Sequence, residues 1–263
     1  MVVAVPSKKR VAVHKFSSCD GCQLALLNAG PALLELAQHV EFVHFVEAGA
    51  KDDDAPVDIA FVEGSISTPE EAQRIQRVRQ QARYLITMGA CATSGGIQAL
   101  RNNADASAWT QAIYAKPQFI SALATATSIA QHVRVDFELW GCPINTAQIM
   151  AVLNALLRGV APVDQNDSVC LSCKRAGQVC VLVTKQAPCL GPVTRTGCGA
   201  LCPRFGRDCY GCYGPSEKTN VTALGRRFAG LGLLPDDVAR RFRFIHSAAA
   251  PFVAAPAEPK AAT

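Results

Sequence analysis

The stretch Arg10-Val-Ala-Val-His-Lys-Phe16, followed by Ser17-Ser-Cys-Asp-Gly21, decides the fold class of this chain. Its first part is a short run of β-branched and apolar residues that predicts a strand, and its second part predicts a turn. Residues Gln23 to Gln38 then have the apolar spacing of a helix, interrupted at Gly30-Pro31. A strand, a turn and a helix in this order predict the first unit of an α/β sheet.

The same alternation continues along the first part of the chain. Apolar runs predict strands, and helical spacing or capping residues predict helices; the strands are expected at 40–46, 57–62 and 84–88, and the helices at 68–82, 93–102 and 144–158. We expect a doubly wound, mostly parallel sheet, in which ligands bind beyond the carboxyl ends of the strands. The acidic run Asp52-Asp53-Asp54 is expected in a solvated loop.

Composition and charge exclude several classes of protein. The chain has 263 residues, 49% of them apolar, and a net charge of +5, which is typical of a folded chain with one full domain and a smaller second unit. This charge is too small and too dispersed to predict nucleic-acid binding. No apolar run reaches the ~20 residues of a membrane helix, so we expect no membrane span. The start of the sequence shows no secretory or twin-arginine leader, so we expect a cytoplasmic protein.

Twelve cysteines are the most unusual feature of the composition. Disulfides are rare in the reducing cytoplasm, so these cysteines predict metal binding or catalysis. Four are sparse and lie at the predicted strand ends or before a predicted helix: Cys19, Cys22, Cys91 and Cys142. Eight are dense and lie within one short segment: Cys170, Cys173, Cys180, Cys189, Cys198, Cys202, Cys209 and Cys212. The first four are expected to converge at one rim of the sheet.

The segment with the eight cysteines has little periodicity. Residues 164–214 are rich in Cys, Gly, Pro and Arg, and we expect a bound metal to help hold them together because they cannot bury much of a core alone. Helices are predicted at 218–228 and 236–244. The Ala/Pro-rich tail, 248–263, is expected to be disordered.

Thiolates select zinc, cuprous copper or iron–sulfur clusters. Twelve cysteines divide into three sets of four, which fits three cubane clusters, although zinc sites with four cysteines satisfy the same count. The spacing disfavours zinc ribbons, because 35 residues and four more cysteines separate Cys173 from Cys209. A thioredoxin-like redox pair at Cys19 and Cys22 and a plain buried role for Cys91 or Cys142 remain alternatives.

Four short motifs resemble a known family. Ser18-Cys-Asp-Gly-Cys22, Val62-Glu-Gly-Ser65, Gly89-Ala-Cys-Ala92 and Gly141-Cys-Pro143 resemble the small subunit of [NiFe] hydrogenases and the related 20-kDa-type subunit of NADH:quinone oxidoreductase. The resemblance implies a flavodoxin-like first domain. It also implies that a proximal [4Fe-4S] cluster is bound by a proximal set of ligands: Cys19, Cys22, Cys91 and Cys142.

The second half of the chain resembles the hydrogenase branch. Pro188-Cys-Leu-Gly-Pro-Val-Thr194 and Cys209-Tyr-Gly-Cys212-Tyr-Gly-Pro215 resemble the two-cluster domain that the quinone oxidoreductase subunit lacks. By motif order, the distal [4Fe-4S] cluster would be bound by a distal set: Cys170, Cys173, Cys180 and Cys189. The medial [4Fe-4S] cluster would be bound by a medial set: Cys198, Cys202, Cys209 and Cys212.

Two positions distinguish this chain from the membrane-bound uptake hydrogenases. Those enzymes have histidine where this chain has Cys170, and proline where it has Cys202, which leaves them a three-iron medial cluster. With cysteine at both positions, the resemblance implies three [4Fe-4S] clusters here. The likeness is then to the cytoplasmic, sulfhydrogenase delta-subunit-like branch of the family.

The resemblance implies an electron-transfer subunit. The Ni–Fe centre would lie in a separate large subunit, and electrons would pass to flavin- and iron–sulfur-containing subunits of the NAD(P) reductase type. The expected organisation is a flavodoxin-like domain at 1–160, a smaller, irregular cluster domain at 161–247 and the tail at 248–263. No catalytic residue is expected in this chain, although Glu63 is a candidate for proton relay or interface contact, against a plain capping role. A redox subunit of a non-hydrogenase oxidoreductase and a zinc-stabilised interaction module remain alternatives.

Overall fold

A six-stranded sheet forms the first part of the molecule. The computed structural model describes residues 8–52 and 55–255, so Asp53 and Asp54 of the predicted acidic loop lie outside the described residues. The strands are β1 (Lys9–Lys15), β2 (Val40–Phe45), β3 (Ala50–Lys51), β4 (Val57–Glu63), β5 (Ala82–Met88) and β6 (Phe137–Leu139). Their order across the sheet is β3-β2-β1-β4-β5-β6, and only the two-residue β3 pairs antiparallel. The five parallel strands thus follow the flavodoxin-like order, and the predicted fold class is confirmed.

Helices connect the strands and continue beyond the sheet. Those of the first part are α1 (Gly21–Leu27), α2 (Pro31–His39), α3 (Pro69–Gln81), α4 (Gly89–Ser94), α5 (Ala106–Ile113) and α6 (Thr146–Leu157). Those of the second part are α7 (Val169–Arg175), α8 (Val181–Thr184), α9 (Leu201–Arg204), α10 (Val221–Ala229), α11 (Pro235–Arg243) and α12 (Ala250–Val253). Single 3₁₀ turns lie at Val46–Ala48, Pro117–Phe119 and Ile129–Gln131, and a longer 3₁₀ segment spans Gly96–Asn103. None of the described helices is long and apolar enough to cross a membrane.

The start of α3 forms as its sequence predicts. Thr68 Oγ1 accepts a hydrogen bond from the Glu71 backbone N–H at 3.2 Å, and the Glu71 carboxylate accepts one from the Thr68 N–H at 3.1 Å. This reciprocal capping box, with Pro69 at the first helical position, satisfies two N–H groups that a helix start leaves unpaired.

The single helix predicted at 93–102 is divided in the structure into the end of α4 and a 3₁₀ segment, because Gly95 adopts a φ of 80° and ends α4.

Both faces of the sheet are buried. Val11 and Val13 of β1 point into one apolar core, and Ala12 between them points into another. Successive side chains of a strand alternate between faces, so a sheet that is covered on both sides needs a continuous apolar run. This explains why β1 and β4 have no alternation of apolar and polar residues.

Four strands end together on one line across the sheet. Lys15 pairs with Glu63, Glu63 pairs with Met88, and Met88 pairs with Leu139, so the last residues of β1, β4, β5 and β6 are neighbours. The loops that carry Cys19, Cys91 and Cys142 begin at this edge. The strand register therefore places the loops that carry these cysteines, which are far apart in the sequence, at one rim of the sheet.

The cysteine-rich segment has an apolar core of its own. Val169, Val181, Leu190 and Val193 pack with residues of α10, α11 and α12. The expectation that this segment buries little core is corrected to this extent, because the C-terminal helices supply the missing apolar partners. The predicted disordered tail is corrected as well for residues 248–255, because Phe252 is 0% exposed within this core. Residues 256–263 lie outside the described part of the chain.

Candidate functional site

The proximal set lies where three loops meet at the rim of the sheet. Ala90 N–H donates a hydrogen bond of 2.7 Å to Gly141 O, which joins the loop of Cys91 to the loop of Cys142. Gly89 lies directly against Cys22: an added Cβ would stand 2.4 Å from the Cys22 Sγ. Gly89 has a φ of 85°, a conformation that glycine adopts without steric cost. The structure thus brings all three loops together.

Glu63 holds the start of α1 in place. Its two carboxylate oxygens accept hydrogen bonds from the backbone N–H groups of Cys22 and Gln23, at 3.0 and 3.1 Å. The side chain is 2% exposed, and burial raises the pKa of Glu63 while the two N–H donors oppose that shift. This geometry shows the capping contact, because both oxygens are engaged by the loop of Cys22, and the proton-relay or interface role of Glu63 stays a prediction.

The four proximal thiols share one electrostatic environment. Burial, together with the charges of Cys142 and Cys19, raises the pKa of Cys91 to about 12. Burial likewise raises the pKa of Cys22, to which Glu63, Cys91 and Cys142 add. Buried thiols that raise each other's pKa do not ionise together unless a cation compensates the charge. Cys19 is the exposed member of the set.

The distal set shows the same behaviour. Burial, together with the charges of Cys189, Cys180 and Cys173, raises the pKa of Cys170 to about 11. Gly191 lies between two of these sulfurs: an added Cβ would stand 3.4 Å from Cys189 Sγ and 3.5 Å from Cys170 Sγ. Cys180, at the start of α8, is exposed.

The medial set contains one of the most deeply buried of the twelve cysteines. Cys209 is 4% exposed, and burial raises its pKa. Burial, together with the charges of Cys198 and Cys202, raises the pKa of Cys212 to about 12. Gly211 N–H donates to Cys209 Sγ at 3.4 Å. Hydrogen bonds of this kind stabilise a thiolate and tune the potential of a cluster bound to it.

Single contacts relate members of the predicted sets to one another. The charge of Cys142 contributes to the raised pKa of Cys212, which relates the proximal set to the medial one. Cys209 N–H donates to Cys189 Sγ at 3.2 Å, which relates the medial set to the distal one. Cys189 therefore lies close to members of both the medial and the distal set, and its assignment to the distal set rests on motif order.

The donors present suit a soft metal centre. All twelve cysteines are free, and each predicted set contains at least one thiol whose pKa is raised by burial and by the charges of other thiols. Within residues 8–52 and 55–255, no three His, Cys, Asp or Glu side chains are arranged to hold a single ion. A single ion requires its ligands to converge on one point, whereas an iron–sulfur cluster distributes its thiolates over several iron atoms. These residues fit such a cluster in the chemistry of their donors, and the division into sets of four stays a prediction.

The sequence pattern of the NADH ubiquinone oxidoreductase 20 Kd subunit matches residues 19–156, which include the whole proximal set. The chain belongs to this family. Sulfhydrogenase 2 subunit delta of Pyrococcus furiosus is 34% identical over 89% of this chain and 98% of its own length. A subunit of the F420-non-reducing hydrogenase of Methanocaldococcus jannaschii is 26% identical over 80% of this chain and 83% of its own length.

The fold is shared with solved members of the family. A chain in the crystal structure of an NAD+-reducing [NiFe]-hydrogenase in the H2-reduced state is 27% identical, with a TM-score of 0.56. The match covers 60% of this chain and 96% of that one. The predicted resemblance to hydrogenase small subunits and to the 20-kDa-type subunit is thereby confirmed.

Some residues of the site have no signal in the sequence. Gln98 Oε1 accepts a hydrogen bond from Cys91 Sγ at 3.0 Å, and the Thr194 side chain opposes the rise that burial causes in the pKa of Cys209. Both follow from tertiary placement, since an isolated Gln or Thr predicts no contact with sulfur. The glycines beside the cysteines, Gly89 and Gly191, lie within the motifs that carry the family resemblance, and these motifs could have indicated their role.

Proposed function

We propose that this chain is the electron-transfer small subunit of a cytoplasmic [NiFe] hydrogenase and that it binds three [4Fe-4S] clusters. The proximal ligands are Cys19, Cys22, Cys91 and Cys142. The medial ligands are Cys198, Cys202, Cys209 and Cys212. The distal ligands are Cys170, Cys173, Cys180 and Cys189. Each cluster, when bound, carries one electron at a time. The two electrons that H2 oxidation releases would therefore leave the Ni–Fe centre one after the other.

The observation that supports this proposal is the presence of twelve free thiols, several of which have pKa values raised by burial and by the charges of other thiols in the same predicted set. Single contacts relate one predicted set to the next, as between Cys209 N–H and Cys189 Sγ. A chain of closely spaced metal centres suits the movement of electrons through a protein. The 34% identity to a sulfhydrogenase subunit over nearly the whole chain supports the hydrogenase assignment.

The residues of this chain would bind, shield and tune the clusters. Glu63 fixes the loop of Cys22, and Gly211 N–H donates to the Cys209 sulfur. Burial of Cys22, Cys189 and Cys209 keeps water away from part of each set. Hydrogen bonds and low exposure are the means by which a protein adjusts cluster potential.

The two ends of the relay have different partners in this proposal. Cys19 is exposed at the rim of the sheet, where the large subunit with its Ni–Fe centre would dock. Cys180, a member of the predicted distal set, is also exposed, and a flavin- and iron–sulfur-containing NAD(P) reductase-type subunit would accept electrons there. Sulfhydrogenase and NAD+-reducing hydrogenase relatives support partners of these kinds.

Purification with the neighbouring gene products tests this function. We expect a brown complex that contains iron, sulfide, nickel and flavin and that reduces NAD(P) with H2. Iron and sulfide without nickel or H2-dependent activity would favour the redox subunit of another oxidoreductase. A colourless protein with zinc and no sulfide would favour an interaction module.

A further inference from the structure

His246 lies between the proximal and medial sets. It follows α11 in the second part of the chain, and its side chain is buried, with 1% of the residue exposed. One ring nitrogen, Nδ1, lies 2.7 Å from the Ser94 hydroxyl. The other, Nε2, lies 3.0 Å from the backbone oxygen of Cys212. Ser94 is in the same short helix as Cys91, so the imidazole connects a proximal ligand helix to a medial ligand.

One of the two hydrogen bonds has a fixed direction. A carbonyl oxygen only accepts, so Nε2–H donates to Cys212 O. The Ser94 hydroxyl lies 2.7 Å from Nδ1 and 3.2 Å from Ala90 O, and Ser94 and Ala90 both lie in the helix of Cys91. The imidazole is thus hydrogen-bonded on one side to the helix of Cys91 and on the other to the backbone of Cys212.

The ring also packs on the third proximal loop. Its centroid lies 5.3 Å from that of Trp140, which comes two residues before Cys142. Trp140 is itself held in place, because its indole N–H donates to Glu138 at 3.1 Å. Gly214, two residues after Cys212, also lies close against Trp140: an added Cβ would stand 2.2 Å from Trp140 Cε3. Residues beside two proximal ligands and one medial ligand therefore meet around a single buried side chain.

We propose that His246 is a positioning residue that fixes the medial cysteine set against the proximal set and so sets the electronic contact between them. This inference rests on the proposed function. A hydrogen-bonded ring fixes the relative position of the two loops more strictly than an apolar contact does, because it joins them by directed hydrogen bonds as well as by packing. Groups that hydrogen-bond to metal ligands commonly orient those ligands and change the metal affinity or activity of the site.

Two substitutions separate the hydrogen bonds from the packing. His246→Phe keeps a ring beside Trp140 but removes both hydrogen bonds. His246→Gln retains an amide N–H that can donate to Cys212 O. In the purified complex with its partner subunits, we would measure iron and sulfide content, the EPR spin coupling between reduced clusters, and H2-driven reduction of the electron acceptor. Exchange between H2 and deuterated water serves as an internal reference, because it needs no net electron transfer along this chain.

We expect His246→Phe to keep its iron and its exchange activity, to show weakened spin coupling, and to lose about tenfold in acceptor reduction. His246→Gln should recover most of that rate. His132→Phe is the matched control, because His132 bonds the Thr127 hydroxyl at 2.7 Å on the sheet side of the molecule and should leave every readout unchanged.

Unchanged spin coupling and an unchanged rate in His246→Phe would overturn the proposal. If this variant loses iron, Ser94→Ala replaces it, because this change removes one hydrogen bond and leaves the ring. Weakened coupling in Ser94→Ala at full iron content supports the proposal, and normal coupling contradicts it. An unaltered complex that shows no cluster signals would instead contradict the proposed function, so the two failures are distinguishable.

Discussion

Glu63, the last residue of β4, accepts a hydrogen bond from the backbone N–H of Cys22 across a distance of 3.0 Å. The relationship joins the end of one strand to the loop that follows another. It explains how a loop with two cysteines is held rigid at an edge where four strands end. The first prediction follows from this contact.

Glu63→Gln should destabilise the proximal loop. The amide nitrogen cannot accept a hydrogen bond, so one of the two buried N–H groups, of Cys22 or Gln23, loses its partner at a cost of about 1–3 kcal/mol. We expect a lower urea midpoint for the purified chain and faster loss of iron to a chelator. Glu41→Gln, at an exposed position on β2, should shift stability by less than about 0.5 kcal/mol. Equal behaviour of the two variants would contradict the role assigned to Glu63.

Gly89→Ala should damage the proximal site selectively. The new Cβ would stand 2.4 Å from Cys22 Sγ, and the φ of 85° adds strain of about 1–2 kcal/mol. Gly232→Ala is a matched control, because Gly232 has a φ of 93° and nothing within 4 Å of the added Cβ. We expect the proximal EPR signal to disappear in Gly89→Ala alone. Loss of that signal in both variants would show that backbone strain, not contact with the sulfur, is responsible.

Cys202→Pro should convert the medial cluster into a three-iron form. The change removes one thiolate of the medial set, and a cluster with three remaining ligands loses the iron that the fourth thiolate held. The measurement is iron analysis together with EPR of the oxidised protein, in which a new signal should appear. An unchanged iron content would refute the placement of Cys202 in the medial set.

Phe252→Ala should test the extent of the second core. Phe252 is 0% exposed and lies 5.9 Å, centroid to centroid, from Phe242. Removal of a buried aromatic ring costs about 3–5 kcal/mol, which chemical denaturation would detect. The neighbouring Val253 is 44% exposed, so Val253→Ala should cost much less. Similar small effects for both variants would mean that α12 contributes little to the fold.

The strands and the cysteine loops could be predicted because their signals are local. The run Arg10 to Phe16 predicts β1, and the capping box at Thr68 predicts α3, since propensity and short-range hydrogen bonds decide both. The order of the strands across the sheet was not predictable from these patterns. It depends on which strands pair, and that is settled by long-range packing.

The connection through His246 could not be predicted from the sequence. Ser94 is 152 residues away from His246, and Cys212 is 34 away, so no spacing rule relates them. The burial of Phe252 could not be predicted for another reason. An Ala/Pro-rich composition predicts disorder even where one aromatic residue packs in a core. In both cases the tertiary structure supplies partners that the local sequence does not show.

The central claim is that this chain holds three iron–sulfur clusters through twelve cysteines. The most direct measurement is metal and sulfide analysis, with Mössbauer and EPR spectroscopy, of the chain purified without oxygen. The account predicts three [4Fe-4S] clusters per chain, with no three-iron signal and no stoichiometric zinc. Zinc without acid-labile sulfide, or iron sufficient for only one cluster, would contradict it.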